Sequence, residues 1–441
     1  MTSSSSAASD SPSTAAENAQ LREALRLLQL RYDALADASA TRIQALEDEN
    51  DALADANRLL ELRAAPAAAV AVAPQQTRVP DELLLPGAGL AAPQELCSLS
   101  DTHAAGNLLS VATRGAVVLT GGADKCICAH DWRSRRKLCE LLVSAPVLGI
   151  AFNPLPARAD VFVAVLMDGR HGLFRLLRDR HAADDDDDGA SEWRIEAVRM
   201  FHEHTRPGAM KLAWSADGEC FATGASDKAL HVFRCAHLAT PAATTCEKLR
   251  SFYFNGTVEA LAFVPPTGAR SELLAVAVRD DCYVHYVDCS TFAKERVNMN
   301  QDGIEHVSYT IMDLRVSPSG KYLLAATDAS RLFVFESNVV LRNFYGHKAG
   351  PYSQPRALWH PSEKYVLANT EEGGAVFVWC VASERVVETL AAHDALVRDF
   401  EIAAAPAAAD GGQATLFTVS YDKLLKVWSA SLVGSSAPAS P

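Results

Sequence analysis

Between about residues 95 and 430 the sequence repeats itself every 45–60 residues or so. A repeat of that size points to a propeller or an array, in which each unit buries its faces on its neighbours. The unit is clearest over residues 209–233 and 416–428. Each stretch reads as a strand, a second strand and a third, joined by polar turns such as Asp217-Gly218, Asp227-Lys228 and Asp422-Lys423. The alternation has period two, as expected of β-strands.

The chain has 441 residues, which suggests two or three domains. Its net charge of −13 argues against nucleic-acid binding, which needs a concentrated basic patch. The short run Arg133, Arg135, Arg136 and Lys137 reads as a solvated turn. Ten cysteines are scattered without a CxxC pair, so neither a disulfide framework nor a zinc site is expected. Cys220, Cys282 and Cys380 sit in apolar runs as small hydrophobes, which favours a reducing compartment. The Ser/Ala-rich start lacks a signal-peptide core, and no apolar run approaches the roughly 18 residues that span a bilayer. The expectation is a cytoplasmic protein, with the nucleus as the alternative.

Residues 1–16 read as a disordered tail and 17–64 as a coiled-coil helix free of Gly and Pro. Leu21, Leu25, Leu28, Tyr32 and Leu35 form a first apolar stripe. A second seam places Ile43, Asn50 and Asn57 at a positions and Leu46, Leu53 and Leu60 at d positions. The step from Leu35 to Ile43 inserts four residues, a stutter. Asn at a positions fixes register in parallel pairs. The stretch before the seam is not basic, so a DNA-binding zipper is rejected. Residues 65–94 read as a Pro/Ala-rich linker, 95–430 as the repeat domain and 431–441 as a second disordered tail.

The repeats resemble WD40 repeats. What the resemblance implies is an all-β, seven-bladed propeller, here preceded by an α-helical coiled-coil segment. The family's anchor is an acidic residue in the second turn, six or seven residues before an aromatic. It matches Asp124, Asp168, Asp227, Asp281 (or Asp280), Asp328, Glu372 and Asp422, seven anchors for seven blades. The aromatic position reads His130, Phe174, Phe233, Tyr286 or Val287, Phe335, Trp379 and Trp428. The resemblance further implies a buried tetrad of His, Ser/Thr, Asp and Trp. The last blade matches with His393, Ser420, Asp422 and Trp428, and the sixth with His347, Thr370, Glu372 and Trp379. The other blades lack members, for example Gly122 and Ala225 at the hydroxyl position. Only a short tail follows Trp428, so the last blade needs an outer strand from elsewhere. The stretch from Glu95 to His103 is expected to supply it, closing the ring non-covalently.

No catalytic constellation is legible. Gly320-Lys321 lacks the rest of a phosphate loop. His202-Glu203-His204 is not HExxH, and His204 reads better as the histidine opening the third repeat. Gly224-Ala-Ser226 lacks the second Gly of a nucleophile elbow. Asp184 to Asp188 lack the spaced ligands of a calcium loop and read as a solvated insertion. Neither a cofactor nor a metal is expected, and the chain is not read as an enzyme. The expectation is a scaffold or adaptor that binds proteins or peptides on the propeller and pairs through residues 17–64, as a homodimer or with a partner helix. Its layout resembles that of G-protein β subunits and Groucho-type corepressors. One alternative is a substrate receptor of a cullin-type ubiquitin ligase. Such receptors end a propeller strand with WDxR; here Asp131 and Arg133 match, with His130 in place of the Trp. A second alternative is a stoichiometric structural subunit of a larger complex.

Overall fold

A computed structural model of the chain describes residues 19–32, 34–35, 79–179, 192–238, 244–266, 271–300, 303–404 and 414–433. The chain divides into two compact units, Met1–Gln76 and Thr77–Pro441. In the first, residues 19–32 are helical, and Leu21, Leu25, Leu28, Tyr32 and Leu35 are all exposed. The seam from Ile43 through Leu46, Asn50, Leu53 and Asn57 to Leu60 lies outside the described residues, as do Asp184 to Asp188.

The second unit is seven four-stranded antiparallel sheets. We name the strands of each blade a to d from the innermost outward. Blades 1 to 6 cover residues 108–142, 147–201, 210–253, 258–298, 311–344 and 357–393 in unbroken up-and-down order. Blade 7 takes strands a to c from residues 397–429, and its outer strand is Gln94–Leu99. That strand pairs antiparallel with Leu425–Ser429, from Gln94 opposite Ser429 to Leu99 opposite Leu425. The expected non-covalent closure is therefore present.

No blade has a core of its own. Val161–Leu166, strand b of blade 2, is buried at all six positions because both faces are covered by neighbours. The apolar clusters lie between blades. Leu119 and Ile127 of blade 1 pack with Phe162 and Phe174 of blade 2. The series continues round the ring to Phe417, Val419 and Val427 of blade 7, which meet Leu108, Val111, Val118 and Trp132 of blade 1. Carboxylates add a second tie between inner strands. Asp399 of blade 7 accepts the N–H of Val111 at 3.1 Å, and Asp313 of blade 5 accepts that of Ala357 at 3.1 Å.

The segment read as a linker differs from expectation where it is described. Residues 81–84 form a short helix that buries Leu83 in the core between blades 5 and 6. The Glu82 carboxylate accepts the Tyr322 hydroxyl at 2.8 Å, and Tyr365 donates to the Ala88 carbonyl at 2.7 Å. Leu90 then bridges Leu432, so the start of the expected tail is also held. The composition suggested an extended chain, but one amphipathic turn, Asp81-Glu-Leu-Leu84, suffices to seat it.

If closure carries the ring, a chain beginning at residue 101 loses the outer strand of blade 7 and exposes an unpaired edge. Its unfolding temperature is expected to fall by more than about 5 °C, with aggregation. A chain beginning at residue 79 should unfold like the full chain. Scanning calorimetry of the two distinguishes them.

Candidate functional site

The turns between strands b and c share one construction. An Asp carboxylate accepts the N–H two residues on, as at Asp124 to Cys126, Asp168 to Arg170, Asp227 to Ala229, Asp281 to Tyr283 and Asp422 to Leu424. In four of these turns the residue after the Asp takes a left-handed conformation: Lys125, Gly169, Lys228 and Lys423. Asp281, not Asp280, makes the anchor contact of blade 4. Asp328 instead accepts the N–H of Thr310 at 2.7 Å.

In three blades this Asp holds a buried network. His393 shares a 2.8 Å bond between Nδ1 and Asp422, and its Nε2 lies 2.8 Å from Thr418 Oγ1. Trp428 Nε1 donates to the same hydroxyl at 3.0 Å. In blade 1 His103 joins Asp124 at 2.8 Å and Thr120 at 3.0 Å, and His130 Nε2 lies 3.3 Å from Thr120 in place of an indole. In blade 3 His204 joins Asp227 at 3.0 Å and Thr223 at 3.0 Å, while Phe233 offers no donor.

The hydroxyl assignment from sequence is corrected here. Ser420 is not the bridging residue; its Oγ donates to the Ala395 carbonyl at 3.0 Å. Residues 418 and 420 point to one face of the strand, and only the deeper one reaches the histidine. The signal was in the sequence: a Thr four residues before the Asp at Thr120, Thr223 and Thr418.

Blade 6 also departs from expectation, because His347, Thr370, Glu372 and Trp379 do not assemble. The position equivalent to Thr418 is Ala368, so no hydroxyl meets His347, and neither ring nitrogen has a partner. The longer Glu372 reaches outward to Lys348 Nζ at 2.7 Å, and Thr370 bonds the backbone of Lys348. Trp379 Nε1 donates to the Tyr345 carbonyl at 2.8 Å. In blade 2 Ser144 replaces the opening histidine and donates to Asp168 at 2.7 Å. In blade 4 His285, on strand c, meets Asp281 at 2.8 Å.

Burial pushes His130 down to about 3 and His231 and His347 to about 4. His393 is also lowered by burial, against the opposing pull of Asp422. Among the described residues, His204, Asp227 and His231 are the one grouping spaced to hold a metal ion. Both nitrogens of His204 are already engaged, by Asp227 and Thr223.

The two ends of the ring differ. The end carrying the b–c turns and the d–a connections presents Leu142, Met167, Tyr253, Ile304, Val307, Tyr345, Tyr352 and Tyr421, with Tyr352 95% exposed. Two cavities of about 130 and 120 Å³ open there and share Gln354 and Arg398. The channel cavity, about 460 Å³, is lined by Lys211, Asp313, Arg315, Arg356, Asp399 and Glu401. Burial raises Glu401 to about 8 and lowers Lys211 to about 7. The opposite end carries the c–d turns. There Trp132 is buried and donates to the Gly115 carbonyl at 3.1 Å. Asp131 caps its own turn at the Arg133 N–H, 2.9 Å, and the exposed Arg133 guanidinium lies over the Trp132 ring.

Residues 195–234 match the WD domain, G-beta repeat family. That match starts in the outer strand of blade 2 and ends in strand c of blade 3, so the sequence repeat is offset from the blade by one strand. A search of curated proteins returns no match.

Thr418→Val should leave the buried Trp428 indole N–H and the acceptor nitrogen His393 Nε2 without partners and cost about 2–3 kcal/mol, against about 1 kcal/mol for Ser420→Ala. Denaturant titration of both variants reads the difference. His347 supplies a pH test. The folded imidazole takes its proton near pH 4 and the unfolded one near 6.5. Between those values the unfolded chain binds more protons, so stability is whole above about pH 6.5 and is lost as the pH falls. His347→Phe should lose less stability between pH 7 and 4 than the parent, by on the order of 2–3 kcal/mol.

Proposed function

The chain is a WD40-repeat β-propeller, and we propose that it is a non-catalytic interaction scaffold that recruits partner proteins on the end of the ring carrying the b–c turns. Propellers of this family typically serve as rigid protein-binding platforms. The observation that carries the reading is the crowding of exposed aliphatic and aromatic side chains at that one end. Tyr and Met are favoured at interface cores because they give large contact area with a polar or adaptable tip. The cavity lined by Tyr352 and Tyr421, and its neighbour lined by Met167, supply pockets for anchoring side chains.

The N-terminal helix is the second half of the proposal. An exposed stripe from Leu21 to Leu35 at four- and three-residue steps fits a pairing surface. Helix pairing would make the scaffold bivalent, which raises effective affinity without new contacts. No helix among the described residues is long and apolar enough to cross a membrane.

A ubiquitin-ligase receptor role is a narrower reading of the same scaffold. It draws on Arg133, which is exposed at the end opposite the aromatic face, where a ligase adaptor and a substrate could bind together.

The test is quantitative affinity purification of four tagged forms. Tyr352→Glu with Tyr421→Glu should lose the main partners by about tenfold or more. Val386→Glu with Val387→Glu, at the opposite end, should keep them. A chain beginning at residue 79 should keep the partners but lose self-association, read by analytical ultracentrifugation. Arg133→Ala should lose a cullin adaptor alone if the narrower reading holds. Partners that survive the tyrosine changes but vanish with the helix would overturn the proposed face.

A further inference from the structure

Strands c and d of blade 3, Ala229–Ala236 and Thr245–Tyr253, run antiparallel with Cys235 directly opposite Cys246. The Cys235 N–H donates to the Glu219 carbonyl at 2.7 Å, on the side facing strand b. The N–H and C=O of one strand residue point the same way, so Cys235 makes no ladder bond to Cys246. In such a non-hydrogen-bonded pair the Cα atoms approach to about 4.5 Å and the side chains come closest. That lies within the span of about 4.4–6.8 Å that a disulfide bridges.

The two Sγ atoms are 2.9 Å apart, less than about 1 Å beyond the bonded length. Both are free thiols and both are buried. No other cysteine stands opposite a second one across a described strand pair. The neck of the hairpin is held from outside. Arg175 of blade 2 donates to the Leu238 carbonyl and, at 3.1 Å, to Thr244 Oγ1. The two strands are thereby kept in register beside the thiols.

We infer that Cys235 and Cys246 form a modification site, an intrachain disulfide made by reaction with a peroxide. One thiolate attacks a peroxide oxygen, the O–O bond breaks and hydroxide leaves, giving a sulfenic acid. The second sulfur attacks that sulfur, the S–S bond forms, and water leaves carrying the second thiol's proton. Two thiols lose two electrons and one hydrogen peroxide becomes two waters. The bond would lock the outer edge of blade 3 and close a short ring across the hairpin. The contact with Cys246 and burial both raise the Cys235 thiol, so the first step should quicken as pH rises.

The experiment uses the full chain, reduced and then treated with hydrogen peroxide at pH 7 and pH 8.5. Remaining thiols are blocked, and the digest is mapped by mass spectrometry without reduction. The expected product is one peptide pair joining Cys235 to Cys246, formed faster at pH 8.5 and released by dithiothreitol. Its formation should raise the unfolding temperature by about 3 °C. Cys235→Ser and Cys246→Ser should each abolish the pair and that shift, while their untreated forms elute and unfold as the parent does. Alkylation of both thiols after peroxide overturns the inference. So does a bond from either to a different cysteine.

Discussion

Every blade in this molecule depends on the next one for its core. A sheet buried on both faces has no stable existence alone, so the apolar contacts stabilise only a ring that closes. Closure rests on Gln94–Leu99 lying beside Leu425–Ser429, and on Phe417, Val419 and Val427 meeting Leu108, Val111 and Val118. The pairing joins residues more than three hundred positions apart. It also explains why the sequence repeat is offset from the blade. With one strand contributed from the front of the chain, the last blade cannot come away without opening the first.

The part of this architecture that was legible in the sequence is the part set by period and count. Seven acidic turns at similar spacing dictate seven units, and a last unit one strand short dictates where that strand must come from. The hydrogen-bonded networks were less legible. Thr418 and Ser420 have the same chemistry on the same strand face, and only depth decides which one meets His393. In blade 6 the matching letters misled, because the missing partner is Ala368, a residue the pattern does not mark. Residues 79–94, the described part of the segment read as a linker, differ from expectation for another reason. The segment's Pro/Ala content describes the chain on average, whereas its placement rests on a few particular contacts, the buried Leu83, the Glu82–Tyr322 and Ala88–Tyr365 hydrogen bonds and the Leu90–Leu432 bridge.

The buried imidazoles show how little of the ring depends on these networks. Blades 1, 3 and 7 hold a His–Asp–Thr chain, while blades 2, 4, 5 and 6 use a serine, a strand histidine, a backbone N–H or no partner for the ring at all. All seven still pack at the same interblade contacts. Apolar burial therefore stabilises the ring, and the polar networks fix particular turns.

That division bears on which surfaces are free to recognise something. The connections opening blades 1, 3 and 7 turn a histidine inward to the anchor Asp, and their backbone follows it. The connections opening blades 2, 4, 5 and 6 lack the complete network, and it is these that present Leu142, Tyr253, Ile304, Val307, Tyr345 and Tyr352 outward. Two of them still bond the anchor acid, Ser144 to Asp168 and the Thr310 N–H to Asp328, so those connections keep their seat while their large side chains face out. The scaffold reading thus gains a physical basis beyond resemblance. Among the d–a connections, those opening blades 2, 4, 5 and 6 carry the exposed apolar side chains, and Met167 and Tyr421 join them from the b–c turns of blades 2 and 7.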